Sequence, residues 1–217
     1  MGLDERSWET IASDSVLLKA VGNWRENSEK WLEYSIERLN ETVRVNPLRE
    51  DIVWVENWLE EIGGTKIEWF TGVGSAWNLP FPRGKAEGDV KIILSALHET
   101  GRLTRQEAVS MIPAIVLDAK PGELVLDMCA SPGSKTTQIA EHLEGSGIVM
   151  ANEIASSRIN TLVANVKRHG SITPIITHHD GRFIPKVPET GFDKILVDAP
   201  CTGSATTRKN PEVWKKW

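Results

Sequence analysis

From residue 123 onward the chain alternates short apolar runs with helical stretches, and each run leads into a carboxylate. Residues 123–127 form the first run and end at Asp127. Residues 147–152 form the second and lead to Glu153. Residues 172–177 lead to Asp180, and residues 192–198 end at Asp198, followed by Ala199-Pro200-Cys201. Helical patterns over 135–143 and 156–169 separate the first three. Strands alternating with helices predict a parallel, doubly wound α/β sheet. Such sheets bind ligands at the carboxyl ends of their strands. One acidic residue past a strand is commonly only a helix cap; four in succession point to a cleft.

Upstream the pattern is mixed. Spacing predicts helices over 15–42, 50–62, 90–100 and 106–117, strands over 42–45 and 65–70, and a Gly/Pro-rich loop over 72–88. Residues 1–95 are expected to form a small α+β accessory domain and residues 96–217 the ligand-binding domain. The nine Trp residues outnumber four Phe and one Tyr. Trp24, Trp31, Trp54 and Trp58 sit at helical spacing and are expected in the core. Trp69 and Trp77 are left as candidates to stack on unpaired bases.

Composition excludes several classes. No run approaches the roughly eighteen apolar residues of a membrane span, and residues 1–13 show no secretory signal. Two cysteines, Cys129 and Cys201, exclude a disulfide scaffold, and without a Cys-x-x-Cys pair no zinc or other metal site is expected. The expected setting is reducing and intracellular, cytoplasmic or nuclear. The net charge of −5 is uneven: residues 1–100 carry 18 acidic and 11 basic side chains, and the remainder is mildly basic. Arg44, Arg83, Lys85, Arg105, Arg208 and Lys209 are candidate phosphate contacts.

The turn after Asp127 reads Met128-Cys129-Ala130-Ser131-Pro132-Gly133-Ser134-Lys135. It holds one glycine and lacks the Gly-Lys-Ser/Thr order of a phosphate cradle. Asp127 suits a cationic amine, Glu153 a ribose diol and Asp180 an adenine amino group. That set favours S-adenosylmethionine over a dinucleotide, with a generic Rossmann nucleotide site as the alternative. Asp198-Ala199-Pro200-Cys201 sets a thiol beside the cleft. A thiolate can attack C6 of a pyrimidine and make C5 nucleophilic, which points to methylation at ring carbon.

The segment 126–138 resembles motif I of the RNA cytosine-C5 methyltransferases, the family of bacterial rRNA enzymes and eukaryotic Nop/Sun proteins. Ala151-Asn152-Glu153 with Arg158 resembles motif II. Arg105-Gln106-Glu107-Ala108-Val109-Ser110-Met111-Ile112-Pro113 and Arg44-Val45-Asn46 are further signatures. Arg208-Lys209-Asn210 with Trp214-Lys215-Lys216-Trp217 is similar to the tRNA-methylating branch. The resemblance implies a Rossmann-like class I methyltransferase sheet preceded by a small α+β domain. It implies S-adenosylmethionine as donor and RNA as partner, tRNA favoured and rRNA possible, with no membrane or metal and a monomer favoured.

The resemblance also implies roles. Cys129, Ala130, Ser131, Pro132, Gly133, Ser134 and Lys135 would wrap the methionine part of the donor. Glu153 with Arg158 would hold the ribose, and Asp180 would meet the adenine. Asp198 would contact the target cytosine near the methyl group. Cys201 would assist release of the product, while the nucleophile is a second cysteine in a downstream motif VI. No cysteine follows Cys201. The expectation is therefore a chain that lacks its C-terminal strands and that nucleophile, and does not turn over. The alternatives are a non-catalytic donor- and RNA-binding chain, and a nucleophilic Cys201 as in DNA cytosine-C5 methyltransferases.

Overall fold

Polar caps break the N-terminal helical stretch in two. Helix α1 (Val16–Gly22) begins where the Ser15 hydroxyl accepts the Leu18 N–H, and α2 (Ser28–Ile36) begins where Asn27 accepts the Lys30 N–H. Such side chains satisfy amides that have no partner inside the helix. One continuous helix over 15–42 is therefore not formed. Trp24 falls in the break and is 70% exposed, so it is not a core residue. Trp31 instead meets the buried Trp214 edge to face, with centroids 5.9 Å apart.

The structure is a computed structural model that describes residues 10–184, 190–208 and 210–216. It divides into two compact units, Asn40–Ala199 and a second one that joins Met1–Leu39 to Pro200–Trp217.

The larger unit begins with an antiparallel sheet of order β2-β3-β1-β4. Its strands are β1 (Asn40–Val45), β2 (Thr65–Lys66), β3 (Ser75–Pro82) and β4 (Leu103–Arg105). Side chains alternate faces along a strand. Val43 and Val45 of β1 therefore join one core with Trp58 and Leu59 of α3 (Ile52–Glu61) and Leu94 and Leu97 of α4 (Gly88–Glu99). Arg44 points the other way.

Several expectations are corrected here. Residues 72–88 contain β3 rather than a loop alone, and Trp77 on it is 3% exposed against Leu79 and β1, so it cannot stack on a base. Trp58 is buried as expected, but Trp54, one turn earlier, is 53% exposed because α3 turns Val55, Trp58 and Leu59 inward. The strand over 65–70 shrinks to Thr65–Lys66.

The second layer is the expected parallel sheet, of order β7-β6-β5-β8. Strand β5 (Leu124–Asp127) is central, flanked by β6 (Ile148–Asn152) and β8 (Lys194–Leu196), with β7 (Pro174–Thr177) outermost. Helices α5 (Ala108–Leu117), α6 (Ser134–His142) and α7 (Ser156–His169) complete a Rossmann-like α/β layer. Ala114, Val125, Ile139, Ala140, Val149 and Leu196 form its core. The chain leaves β5 toward β6 on one side and returns to β8 on the other. That reversal opens a crevice at the end of β5. Among the described residues no helix is long and apolar enough to cross a membrane.

Gly101 shows how closely the two sheets' elements meet. It follows α4 with φ at +71°, and a Cβ there would lie 1.8 Å from the Arg168 carbonyl oxygen of α7. Beside it Asn46 donates to both the Gly101 and His169 carbonyls, at 2.8 and 3.0 Å. Gly101→Ala combines left-handed strain with a backbone clash. Its expected cost is about 2–4 kcal/mol in urea unfolding.

Candidate functional site at the strand ends

The carboxyl ends of β5 and β8 form a small cleft lined by Asp127, Cys129 to Pro132, Ser134, Lys135 and Asp198. The turn after β5 is built on α7. Arg158 donates to the Ser131 carbonyl, the Ser131 hydroxyl donates back to the Arg158 carbonyl at 3.1 Å, and Asn165 donates to the Pro132 carbonyl. Gly133 caps α6 with φ at +105°, and a Cβ there would come within 2.9 Å of Leu162. The first amides of α6 have no partners inside the helix, and this positive end of the helix suits an anionic group.

Asp127 is almost fully buried. Burial pushes its carboxyl up to about 6, opposed by the Thr136 hydroxyl, which donates at 2.7 Å, and by the Lys135 charge. Lys135 Nζ donates to Asp198 Oδ2 at 2.8 Å and to Ser110 Oγ at 2.9 Å. Burial and then the carboxylates of Asp127, Glu153 and Asp198 raise the Cys129 thiol. It stays neutral and unreactive at neutral pH.

Asn152 organises the neighbouring strand ends. Its amide donates to the Met128 and His179 carbonyls, and its carbonyl accepts from the Thr177 hydroxyl and the His179 N–H. Glu153, next in the chain, is buried. One carboxylate oxygen accepts the Ala155 N–H at 2.8 Å. The other, Oε2, has Arg158 Nη1 at 3.3 Å but no hydrogen-bond partner. Asp180 caps the turn Gly181–Phe183 and is held by Arg182, whose side-chain hydrogen bonds lower its carboxyl to about 2.

The structure thus brings Asp127, the turn 129–135 and Asp198 into one cleft, with Glu153 and Arg158 beside the turn and Asp180 at the end of β7. Arg44 is not a phosphate contact. It is fully buried, its guanidinium bound to Glu141 at 2.6 and 2.9 Å and to Thr137, Gln106 and the Ser134 carbonyl. Arg105 is largely buried against Glu41, at 3.3 Å. Cys201 is exposed and belongs to the smaller unit, as does Arg208, which donates to the Tyr34 carbonyl. Lys209 lies outside the described residues. Sequence reasoning assigned no role to Thr136, Ser110 or the Asn152 side chain. Their signal was position: Thr136 and Ser110 sit within the signatures, but no spacing rule says which polar groups turn toward a carboxylate.

Residues 114–217 match the family model described as 16S rRNA methyltransferase RsmB/F. The chain is 36% identical over 198 residues to the tRNA (cytosine(49)-C(5))-methyltransferase of Pyrococcus abyssi, an alignment covering 88% of this chain and 59% of that protein. It is 43% identical over 162 residues to the multisite-specific tRNA:(cytosine-C(5))-methyltransferase of Saccharomyces cerevisiae, covering 65% of this chain and 24% of that one. A solved methyltransferase homolog from Pyrococcus horikoshii superposes with a TM-score of 0.68 at 29% identity, over 84% of this chain and 58% of that one. The chain thus spans under two thirds of the length of these relatives. Its strand-end cleft, its motif residues and these matches agree: the chain belongs to the RNA cytosine-C5 methyltransferase family.

Proposed function

We propose that the protein binds S-adenosylmethionine in the β5–β8 cleft and serves methylation of cytosine C5 in RNA, tRNA before rRNA, in an intracellular setting. The observation that carries this reading is the buried Glu153 Oε2, which has no hydrogen-bond partner at the end of β6. Arg158 pairs with it by charge at 3.3 Å without donating a hydrogen bond, and a ribose hydroxyl would supply one. Bound there, the donor would supply an electrophilic methyl group.

The chain's own residues divide the remaining work. Asp127, as a carboxylate, meets the donor's ammonium, and the turn 129–135 with the amides of α6 meets its carboxylate. Asp180 is the candidate for the adenine amino group, sharing its carboxylate with Arg182. Asp198, exposed and paired with Lys135, faces the target base. Cys201 assists release of the methylated base. Residues ahead of the parallel sheet, with Arg208 and Lys209, help position the RNA. The curated relatives act on tRNA by name, which favours that substrate.

Calorimetry separates this reading from a nucleotide-binding alternative: S-adenosylmethionine should bind and NAD should not, and NAD binding alone would overturn it. Asp127 adds a pH signature. Its folded-state value lies above the usual carboxylate range, so below pH 6 it is protonated and loses its attraction for the ammonium. Donor affinity should fall about tenfold between pH 7 and pH 5. Asp127→Asn should bind weakly at every pH, and Thr136→Val should move the midpoint above 6. By the same sign, Asp127 favours the folded state most at low pH, and this contribution declines as pH rises from about 4 through 6.

A further inference from the structure

We propose that Ser110 is a positioning residue for Lys135, fixing its ammonium against the Asp198 carboxylate. The proposal rests on the reading of Asp198 given above. An ion pair between a lysine and an exposed carboxylate restrains little by itself, because the long side chain keeps many rotamers. Asp198 is such a carboxylate, 58% exposed. Lys135 differs from an ordinary surface lysine in two respects. Its side chain is mostly buried, and Nζ donates to the Ser110 hydroxyl at 2.9 Å as well as to Asp198 at 2.8 Å. Two acceptors on different elements, α5 and the end of β8, define a position that one acceptor does not.

Ser110 is itself held. Its N–H donates to the Glu107 carbonyl at 2.9 Å, and its carbonyl accepts from the Gln106 side chain at 3.0 Å. Gln106 is buried, donates to Gln138 at 3.1 Å and accepts from Arg44. A continuous set of hydrogen bonds therefore runs from the buried Arg44–Glu141 pair through Gln106 and Ser110 to Lys135 and Asp198. Within that set the Ser110 hydroxyl is the group that meets the Lys135 ammonium opposite Asp198.

The test is competitive acetylation of the 217-residue chain with a trace amine-acylating reagent, read lysine by lysine by mass spectrometry. The amine reacts when its hydrogen bonds open. Ser110→Ala should raise labelling of Lys135 relative to the exposed Lys120 by about fivefold, the effect of one lost hydrogen bond. Ser110→Thr keeps the hydroxyl and should stay within about twofold of the parent. Circular dichroism should show both variants folded. Unchanged Lys135 labelling in Ser110→Ala, or equal rises in the Ala and Thr variants, would overturn the proposal. The labelling needs neither donor nor RNA, so a chain that fails to bind S-adenosylmethionine refutes the proposed function without deciding this result.

Discussion

The larger unit is organised around one buried ion pair. Arg44 lies on β1 of the antiparallel sheet and Glu141 on α6 of the parallel layer, and both are fully excluded from water. Burial by itself would push the Glu141 carboxyl up, but Arg44 and His169 more than reverse it and keep it ionised. His169 Nε2 lies 2.9 Å from Oε1, so both oxygens are engaged. A buried pair of this kind adds little net stability compared with apolar packing, yet losing one partner strands the other charge. Its effect is therefore one of registration. The two layers meet correctly when the guanidinium reaches Glu141, Thr137, Gln106 and Ser134 together.

That registration reaches the cleft. Glu141, Thr137 and Ser134 are all on α6, whose first turn follows Gly133 and borders the turn after β5. Gln106 extends the same network into α5 and Ser110. At the other end of the cleft Asn152 ties the ends of β5, β6 and β7. The strand-end carboxylates then differ by surroundings: Asp127 is raised by burial, whereas Asp180 is lowered by Arg182. A carboxyl that titrates near 6 and one that is always ionised suit different parts of one ligand.

The parallel layer was legible because buried parallel strands leave unbroken apolar runs, and each here ends on a conspicuous polar residue. Strand β3 was not, because Pro80 and Pro82 and nearby glycines read as loop while its pairing to β1 is long-range. Trp24 and Trp54 matched a helical period that the caps at Ser15 and Asn27, and the inward face of α3, assign differently. Arg44 was read as a surface cation because burial of a charge requires a partner, and its partner lies 97 residues away. Short-range pattern identifies elements; it does not identify which distant carboxylate an arginine meets.

The most direct measurement is urea unfolding of Arg44→Met beside the double variant Arg44→Met/Glu141→Leu, with RNA affinity recorded for each. The single variant should lose about 3–5 kcal/mol through the stranded Glu141, and the double variant should recover much of that loss. A single variant as stable as the parent, but weaker for RNA, would contradict the account and return Arg44 to the RNA surface.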